Sequence, residues 1–546
     1  MSAHPLLPAA LHTPAGCWTA AALADAAGQI ARRLREQGVR VLATQLDNGA
    51  AWLLAEAAAA QAGIVHVPLP AFFSADQRRH ALQAAGVDTL WLPAGAPTPP
   101  GLPTVDLHLP AGPGAPEAIE GRWLLGLAAG RSAPAVMPPG TGLVTFTSGT
   151  TGQPKGVCLA RDRLAAVAAG LAQATADLPL QRHLAVLPLA VLLEQVAGTL
   201  APAARGAELL LLPLAELGWS GSSRFDPARL QAAVQRHQAH SLILLPQMLR
   251  AWTAWLAAVG RRAPDSLRFV AVGGAAVGAA TLAAARAVGL PVFEGYGLSE
   301  GGSVQTLNLP GADAPGSAGR PLPHTRLRLA ADGEVEVAGT GLLGYLGEAE
   351  ARPAEAWWPT GDLGRLDAAG HLWIAGRKKQ VLITAYGRNV SPEWVECALQ
   401  EAAPGGRPVI AQAVVFGEGQ PTLSAVLWPL PGAAEDEAAL DRELAAAVAL
   451  ANAGLPDYAR IGRWLRAREP FDAASGLATD NGRPRRAAIA ARHGAALGLE
   501  GDESAAPQSE APSATRSAAP PRPTADACPA APPTSHTTGA PTGVAA

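Results

Sequence analysis

The chain is 546 residues long, and 42 lysines and arginines against 45 acidic residues leave a formal charge of −3. That balance excludes a strongly basic nucleic-acid binder and gives no general attraction to anionic membranes. Hydrophobic residues at 49% suffice for sizeable cores, and the length suggests roughly two to four domains. Four cysteines, Cys17, Cys158, Cys397 and Cys528, have the spacing of neither a disulfide framework nor a metal knuckle, which fits a reducing cytoplasm. No basic stretch precedes an apolar run at the N-terminus, so a signal peptide is not expected. The most apolar stretch, 51–73, is interrupted by Glu56, Gln61, His66, Pro68 and Pro70. No transmembrane segment is therefore expected, and a weak peripheral membrane contact stays open.

In chain order, Leu23, Ala26, Ile30 and Leu34 predict an amphipathic helix over 18–37, stopped by Gly38. A short buried strand follows at 39–43. A helix over roughly 49–62 leads to the apolar run at 64–68, and another helix precedes Thr89-Leu-Trp-Leu. This alternation argues for βα units with parallel strands, and it returns at 241–246, 268–272 and 291–293. From about 326 the texture changes. Alternating strands flank Asp332-Gly333, which predicts a hairpin, and 367–374 is a second candidate. Beyond Lys379 comes an α+β stretch: helix near 392–402, strands near 408–416 and 422–428, helix near 434–453. Residues from about 500 to 546 are rich in Ala, Pro, Ser and Thr, and disorder is expected there.

The segment Thr145-Phe-Thr-Ser-Gly-Thr-Thr-Gly-Gln-Pro-Lys-Gly-Val carries the chemistry. Two glycines permit a tight loop with inward amides, hydroxyls add donors and Lys155 adds a point charge, a combination suited to a polyphosphate. It is not a G-x-x-x-x-G-K-[ST] loop, because Gly156 follows Lys155. It resembles the phosphate loop of the acyl-adenylate-forming superfamily, which includes acyl-CoA synthetases, non-ribosomal adenylation domains and luciferases. Four further segments continue the resemblance in the family's order: Val272-Gly-Gly-Ala-Ala, Tyr296-Gly-Leu-Ser-Glu, Thr360-Gly-Asp-Leu, and Gly376-Arg-Lys-Lys-Gln-Val-Leu-Ile-Thr-Ala-Tyr-Gly-Arg-Asn-Val-Ser-Pro-Glu. The resemblance spans about 15–497.

The resemblance implies an α/β fold: a large N-terminal AMP-binding domain over 1–378, with βα subdomains and a small antiparallel β region, a small mobile α+β domain over 379–498, and a tail over 499–546. It implies that Ser148, Thr150, Thr151 and Lys155, with Gly149 and Gly152, hold the β- and γ-phosphates of ATP. Glu300 would bind Mg²⁺. Thr147 and Ser299 would add contacts near the α-phosphate. Tyr296 and Gly297, with the backbone of Gly274 and Ala275, would line the adenine pocket. Asp362 would accept from the ribose hydroxyls, with Arg377 nearby. Lys379 would be the hinge, and Tyr386 and Gly387 would serve thioester formation after rotation. The only lysines are Lys155, Lys378 and Lys379, the other 39 cations being arginines; all three lie in these motifs, where a compact ammonium has a use that a planar guanidinium lacks.

One departure matters. The family places a catalytic lysine late in the small domain, and Arg483 stands there, in Thr479-Asp-Asn-Gly-Arg-Pro-Arg-Arg. Arg485 and Arg486 are alternative cations. The acid-side stretches Ala190-Val-Leu-Leu, Val196-Ala-Gly and Gly301-Gly-Ser are small and aliphatic, which leaves room for a long apolar chain. Among family members, the motifs are closest to long-chain fatty acyl-CoA synthetases. The expected activity is activation of a medium- or long-chain fatty acid by ATP and Mg²⁺, then thioester formation with coenzyme A. The alternatives are loading of an acyl carrier protein's phosphopantetheine, or a non-catalytic binding homologue in which Arg483 does not support the first step. Gly339-Thr-Gly-Leu-Leu-Gly is a literal dinucleotide fingerprint, but loop rather than helix is expected after it.

Overall fold

The structure, a computed structural model, describes residues 7–98, 101–127, 135–147, 154–220, 224–339, 341–386, 388–433, 436–479 and 482–497. The expected tail lies outside the described residues.

The expected alternation folds into parallel sheets whose strands are buried on both faces, which is why they read as unbroken apolar runs. Among the described residues, a nine-stranded sheet runs through Val292–Leu298, Phe269–Val272, Ser241–Leu244, Arg182–Ala185, Glu208–Leu211 and Ala10–Thr13, parallel throughout. Antiparallel Ser303–Leu307 extends one side and Gly16–Thr19 the other. A second, eight-stranded sheet centres on parallel Val41–Thr44, Val65–Pro68, Thr89–Leu92 and Leu143–Thr147. Its antiparallel pair Thr104–Leu109 and Ile119–Leu125 has no counterpart in the expectations above.

The first helix is Ala20–Glu36, two residues later than its apolar spacing suggests. Residues 16–19 pair with Ala10–Thr13 instead, and Thr19 caps the helix by accepting from the Ala22 amide at 3.2 Å. Helix Ala50–Ala62 is apolar on nearly every face because it is buried nearly all round. Its Glu56 is ion-paired inside with Arg161 at 3.2 Å and hydrogen-bonded to His66. Those polar interruptions of the apolar stretch are thus internal partners of one another.

The expected hairpins form a four-stranded antiparallel sheet, Arg326–Leu329, Glu334–Ala338, Trp358–Leu366 and Leu372–Arg377. Beyond it, Ile410–Phe416, Leu423–Pro429 and Ile461–Arg466 make a three-stranded sheet. Helices Pro392–Glu401 and Glu437–Gly454 pack with it around Val395, Leu399, Ile410, Val415, Leu444 and Val448. We call this 379–497 region the small lobe. No helix among the described residues is long and apolar enough to cross a membrane.

Candidate active site

Strands Leu143–Thr147 and Lys155–Leu159 are antiparallel neighbours, and Thr147 lies directly opposite Lys155. The two ends of the hydroxyl-rich segment, Thr147 and Lys155, are thus brought side by side on paired strands. Ser148, Gly149, Thr150, Thr151 and Gly152 lie outside the described residues. The glycine after the lysine has a packing cause: a Cβ on Gly156 would meet Leu346 Cδ1 at 2.3 Å.

Lys155 Nζ lies 5.9 Å from the centre of the Tyr345 ring, and the Tyr345 hydroxyl donates to Glu300 Oε1 at 3.1 Å. Burial, then the Glu300 charge, raises the Tyr345 hydroxyl well above its ordinary value, so it stays a donor. Glu300 sits in the tight turn Ser299–Gly301 after strand Val292–Leu298, which places Ser299 beside it. Its backbone carbonyl accepts from Leu342 N at 2.7 Å. Arg163 holds the same segment from below, donating to the Gly341 and Leu342 carbonyls at 3.2 and 3.0 Å. Lys155 and Glu300 thus meet through Tyr345, a residue absent from the expected set.

The second cluster is centred on Asp362, only 4% exposed in strand Trp358–Leu366. Arg377 is its cross-strand partner, with Nε 2.8 Å from Oδ1. Tyr296 OH donates to Oδ2 at 2.6 Å. Burial raises the Asp362 carboxyl against the pull of Arg377 and Tyr296. Each carboxylate oxygen has a second lone pair, so both retain capacity for a ligand hydroxyl. The Asp362 amide donates to Thr360 Oγ1 at 3.1 Å, and the Gly361 amide donates to Glu334 Oε1 at 2.9 Å. The Thr-Gly-Asp turn is held from both sides.

Tyr296 is aimed by a bulge. The register against Ser303–Leu307 shifts between Tyr296 and Gly297. A Cβ at Gly297 would lie 2.1 Å from the Ser303 carbonyl oxygen, so only glycine lets the strands close there. Gly274 has φ +86° just past strand Phe269–Val272, and Ala275 beside it is exposed.

The small lobe completes the cluster. Thr479 and Arg483 close a turn, with Thr479 N donating to Arg483 O at 2.8 Å. Exposed Arg483 brings Nη2 within 3.5 Å of the Gly274 carbonyl, and it lies in electrostatic reach of Arg377, Glu393 and Asp362. Arg486 is not an alternative cation for the site. It pairs with buried Glu396 at 2.6 and 2.8 Å and donates to Val415 O, anchoring the start of helix Arg486–Leu497. Arg485 is exposed.

Lys378 is fastened to Asp332 at 2.6 Å and to Glu334 at 2.7 Å, and both carboxylates raise its ammonium pKa. Lys379 follows, exposed, in the turn Lys378–Gln380. Tyr386 is 76% exposed, and Ala385 N donates to Gln420 O within the small lobe. Tyr386 thus faces solvent, and Gly387 lies outside the described residues.

The segment expected to face the acid is not small and aliphatic alone. Ala190, Leu192 and Val196 are buried, but so are Glu194 and Gln195, in a π-helical segment Glu194–Leu200. Glu194 accepts from the Val186 and Leu187 amides at 3.2 and 3.3 Å, and Gly198 leaves room for its carboxylate. Neither amide atom of Gln195 has a hydrogen-bond partner among the described residues. The apolar pattern of the sequence could not show this, because the i→i+5 pattern has no simple apolar period.

The dinucleotide fingerprint opens no helix. Gly344–Tyr345 instead pairs antiparallel with Lys155–Leu159, and Thr340 lies outside the described residues. Among the described residues no group of three or more His, Cys, Asp or Glu side chains could hold a metal alone.

Comparison with known proteins identifies the family. The family model described as AMP-binding enzyme matches residues 4–347, and that described as AMP-binding enzyme C-terminal domain matches 379–496. The 3-[(3aS,4S,7aS)-7a-methyl-1,5-dioxo-octahydro-1H-inden-4-yl]propanoyl:CoA ligase of Mycobacterium tuberculosis is 32% identical, over 71% of this chain and 79% of its own. The long-chain-fatty-acid–CoA ligase FadD15 of Mycobacterium bovis is 38% identical, but over only 30% of this chain and 27% of that relative's length. The O-succinylbenzoate coenzyme A synthetase of Bacillus subtilis, solved with ATP and magnesium, superposes with a TM-score of 0.65 at 22% identity, over 88% of this chain and 95% of that one. At that identity the likeness is one of fold.

Proposed function

From the premise that the chain belongs to the AMP-binding enzyme family, we propose that it activates an apolar carboxylic acid, of the medium- or long-chain fatty acid class, at the expense of ATP and passes the acyl group to coenzyme A. In the first step a carboxylate oxygen bonds to the α-phosphorus and the bond to pyrophosphate breaks. In the second, the thiol sulfur bonds to the acyl carbon, AMP leaves and the thiol proton passes to solvent. The observation that carries this reading is the joint presentation of Asp362, Tyr296 and Arg377 with Arg483 at the Gly274 carbonyl. A carboxylate with spare lone pairs suits a sugar diol, and the adjacent cation suits a phosphate or carboxylate.

In this reading Asp362 orients the ribose and Tyr296 lies along the adenine. Lys155, Thr147 and the hydroxyls of Ser148, Thr150 and Thr151 take the leaving phosphates. Arg483 stabilises negative charge where the acid meets the α-phosphate. Glu300 offers one hard carboxylate, held by Tyr345, and that fits Mg²⁺, which takes one or two protein carboxylates and completes its shell with phosphate oxygens and water. The ion would neutralise phosphate charge. The apolar acid rests on the small aliphatic residues of the sequence around Ala190, Leu192 and Val196. A second reading is favoured by the unpartnered buried amide of Gln195: an apolar acid that also bears a carbonyl or hydroxyl group. The Mycobacterium tuberculosis relative at 32% identity is named for such an oxo acid.

The test is pyrophosphate release with a ladder of medium- to long-chain fatty acids and an oxo-substituted ring propanoate, each with and without coenzyme A. Release that depends on the acid, followed by thioester formation, is expected. ATP binding without release for any acid would refute the proposal.

A further inference from the structure

Helix Ala279–Ala287 begins four residues after the Gly274-Ala275 backbone of the site, and it lacks a cap of its own. Its N-cap residue is Gly278, with no side chain to accept from the first-turn amides. The acceptor comes from the small lobe. Glu401, the last residue of helix Pro392–Glu401, accepts from Ala280 N at 3.2 Å and from Thr281 N at 3.4 Å through one oxygen. Those are the amides that a serine or aspartate cap would normally serve. A negative charge there also complements the helix dipole.

Gly278 is shaped for this approach. It has φ +90°, and a Cβ there would lie 1.8 Å from Glu401 Oε1 and 2.9 Å from Cys397 Sγ. Arg250, on helix Pro246–Ala258, adds an attractive charge in reach of both Glu401 and Cys397. The same large-lobe segment, 274–281, therefore touches the small lobe twice: Gly274 at Arg483, and Ala280 and Thr281 at Glu401.

We propose that Glu401 is a positioning residue that docks the small lobe in the pose that presents Arg483 to the site, by serving as the cap of helix Ala279–Ala287. The inference rests on the two-step reading above and adds a residue outside the catalytic set. A rotation that takes Arg483 away must also uncap this helix. Glu401 therefore weights the lobe toward the first step and contributes nothing to the second.

The native thiol reports the docking without any turnover. Cys397 sits against Gly278 while docked, where burial pushes its pKa up to about 12, so alkylation is slow. Three readouts are taken on the full-length protein: acid-dependent pyrophosphate exchange, thioester formation from preformed acyl-adenylate and coenzyme A, and iodoacetamide labelling of Cys397 mapped by peptide mass. Glu401→Ala should lower exchange about tenfold, as for loss of one charge-assisted contact, and leave the second step unchanged or faster. Its Cys397 should label faster. Glu401→Gln keeps a carbonyl acceptor and should recover most of the exchange. Gly278→Ala, which intrudes on the same contact from the other lobe, should give the same split between steps. Thermal melts confirm that each variant is folded. Parental labelling of Glu401→Ala, or equal loss in both steps, would overturn the proposal. If the parent exchanges with no acid, the functional reading fails, and labelling alone then supports the docking contact when faster and overturns it when parental.

Discussion

Arg483 is the residue on which this chain differs most from the pattern its motifs resemble, and the structure gives the difference a physical meaning. A guanidinium reaches Gly274 O and the field of Asp362 from an exposed turn, so the charge expected there is delivered by another shape. Arg483→Ala should lower pyrophosphate exchange about 10²-fold, the usual cost of removing one charge-stabilising donor, with little change in melting temperature. Arg485→Ala should leave exchange at the parental rate. Arg486→Ala should behave oppositely to Arg483→Ala: it strands the buried Glu396 carboxylate and should cost roughly 3 kcal/mol of stability, read by denaturant titration. Lys155→Ala and Glu300→Ala should each lose most activity and keep the parental melt. For Glu300→Ala, a Mg²⁺ titration that still restores parental turnover would remove its assignment.

At the scale of the element, the regular pieces were legible because their burial pattern is simple. Thr89–Leu92 is buried at every position, and helix Ala50–Ala62 is capped by Gly63 in the left-handed region. What escaped the sequence was structure set by neighbours distant in the chain. The bulge that aims Tyr296 depends on Ser303, the tyrosine that joins Lys155 to Glu300 arrives from 345, and the π segment burying Glu194 and Gln195 breaks the period that pattern-reading relies on. Strand Val292–Leu298 hides a further consequence. Glu294 is buried, accepts from Val277 N at 3.1 Å through one oxygen and has no partner for the other among the described residues, and burial pushes its pKa up to about 7. A carboxyl that holds its proton more tightly folded than unfolded favours the fold at low pH and loses that advantage as pH rises through its folded value. Its contribution should fall by about 2 kcal/mol between pH 4.5 and about 7, a window set by its ordinary and its raised pKa. Glu294→Gln should flatten that part of the stability curve and raise stability above pH 7. An unchanged curve from denaturant titrations across this range would count against a proton on Glu294.

The whole molecule turns on where one lobe ends and the other can begin to move. Lys378 is tied to Asp332 and Glu334 of the four-stranded sheet, whose Glu334 also holds the Gly361 amide beside Asp362. Rotation that spares the Asp362 cluster cannot begin before this residue. Lys379 is the first exposed position after the anchor, and Tyr386 faces solvent seven residues on. In the proposed two-step cycle, Arg483 serves the first step in the pose observed, and the Tyr386 loop must travel to serve the second. Replacing Lys379 with proline fixes one backbone dihedral at the pivot and leaves every side chain of both clusters in place. Lys379→Pro should therefore keep pyrophosphate exchange within about threefold of the parent and slow thioester formation from preformed acyl-adenylate about 10²-fold, the scale on which misplaced reacting groups lose rate. Equal slowing of both steps would put the pivot elsewhere. Undiminished thioester formation would mean that the Tyr386 loop reaches the site without turning at 379.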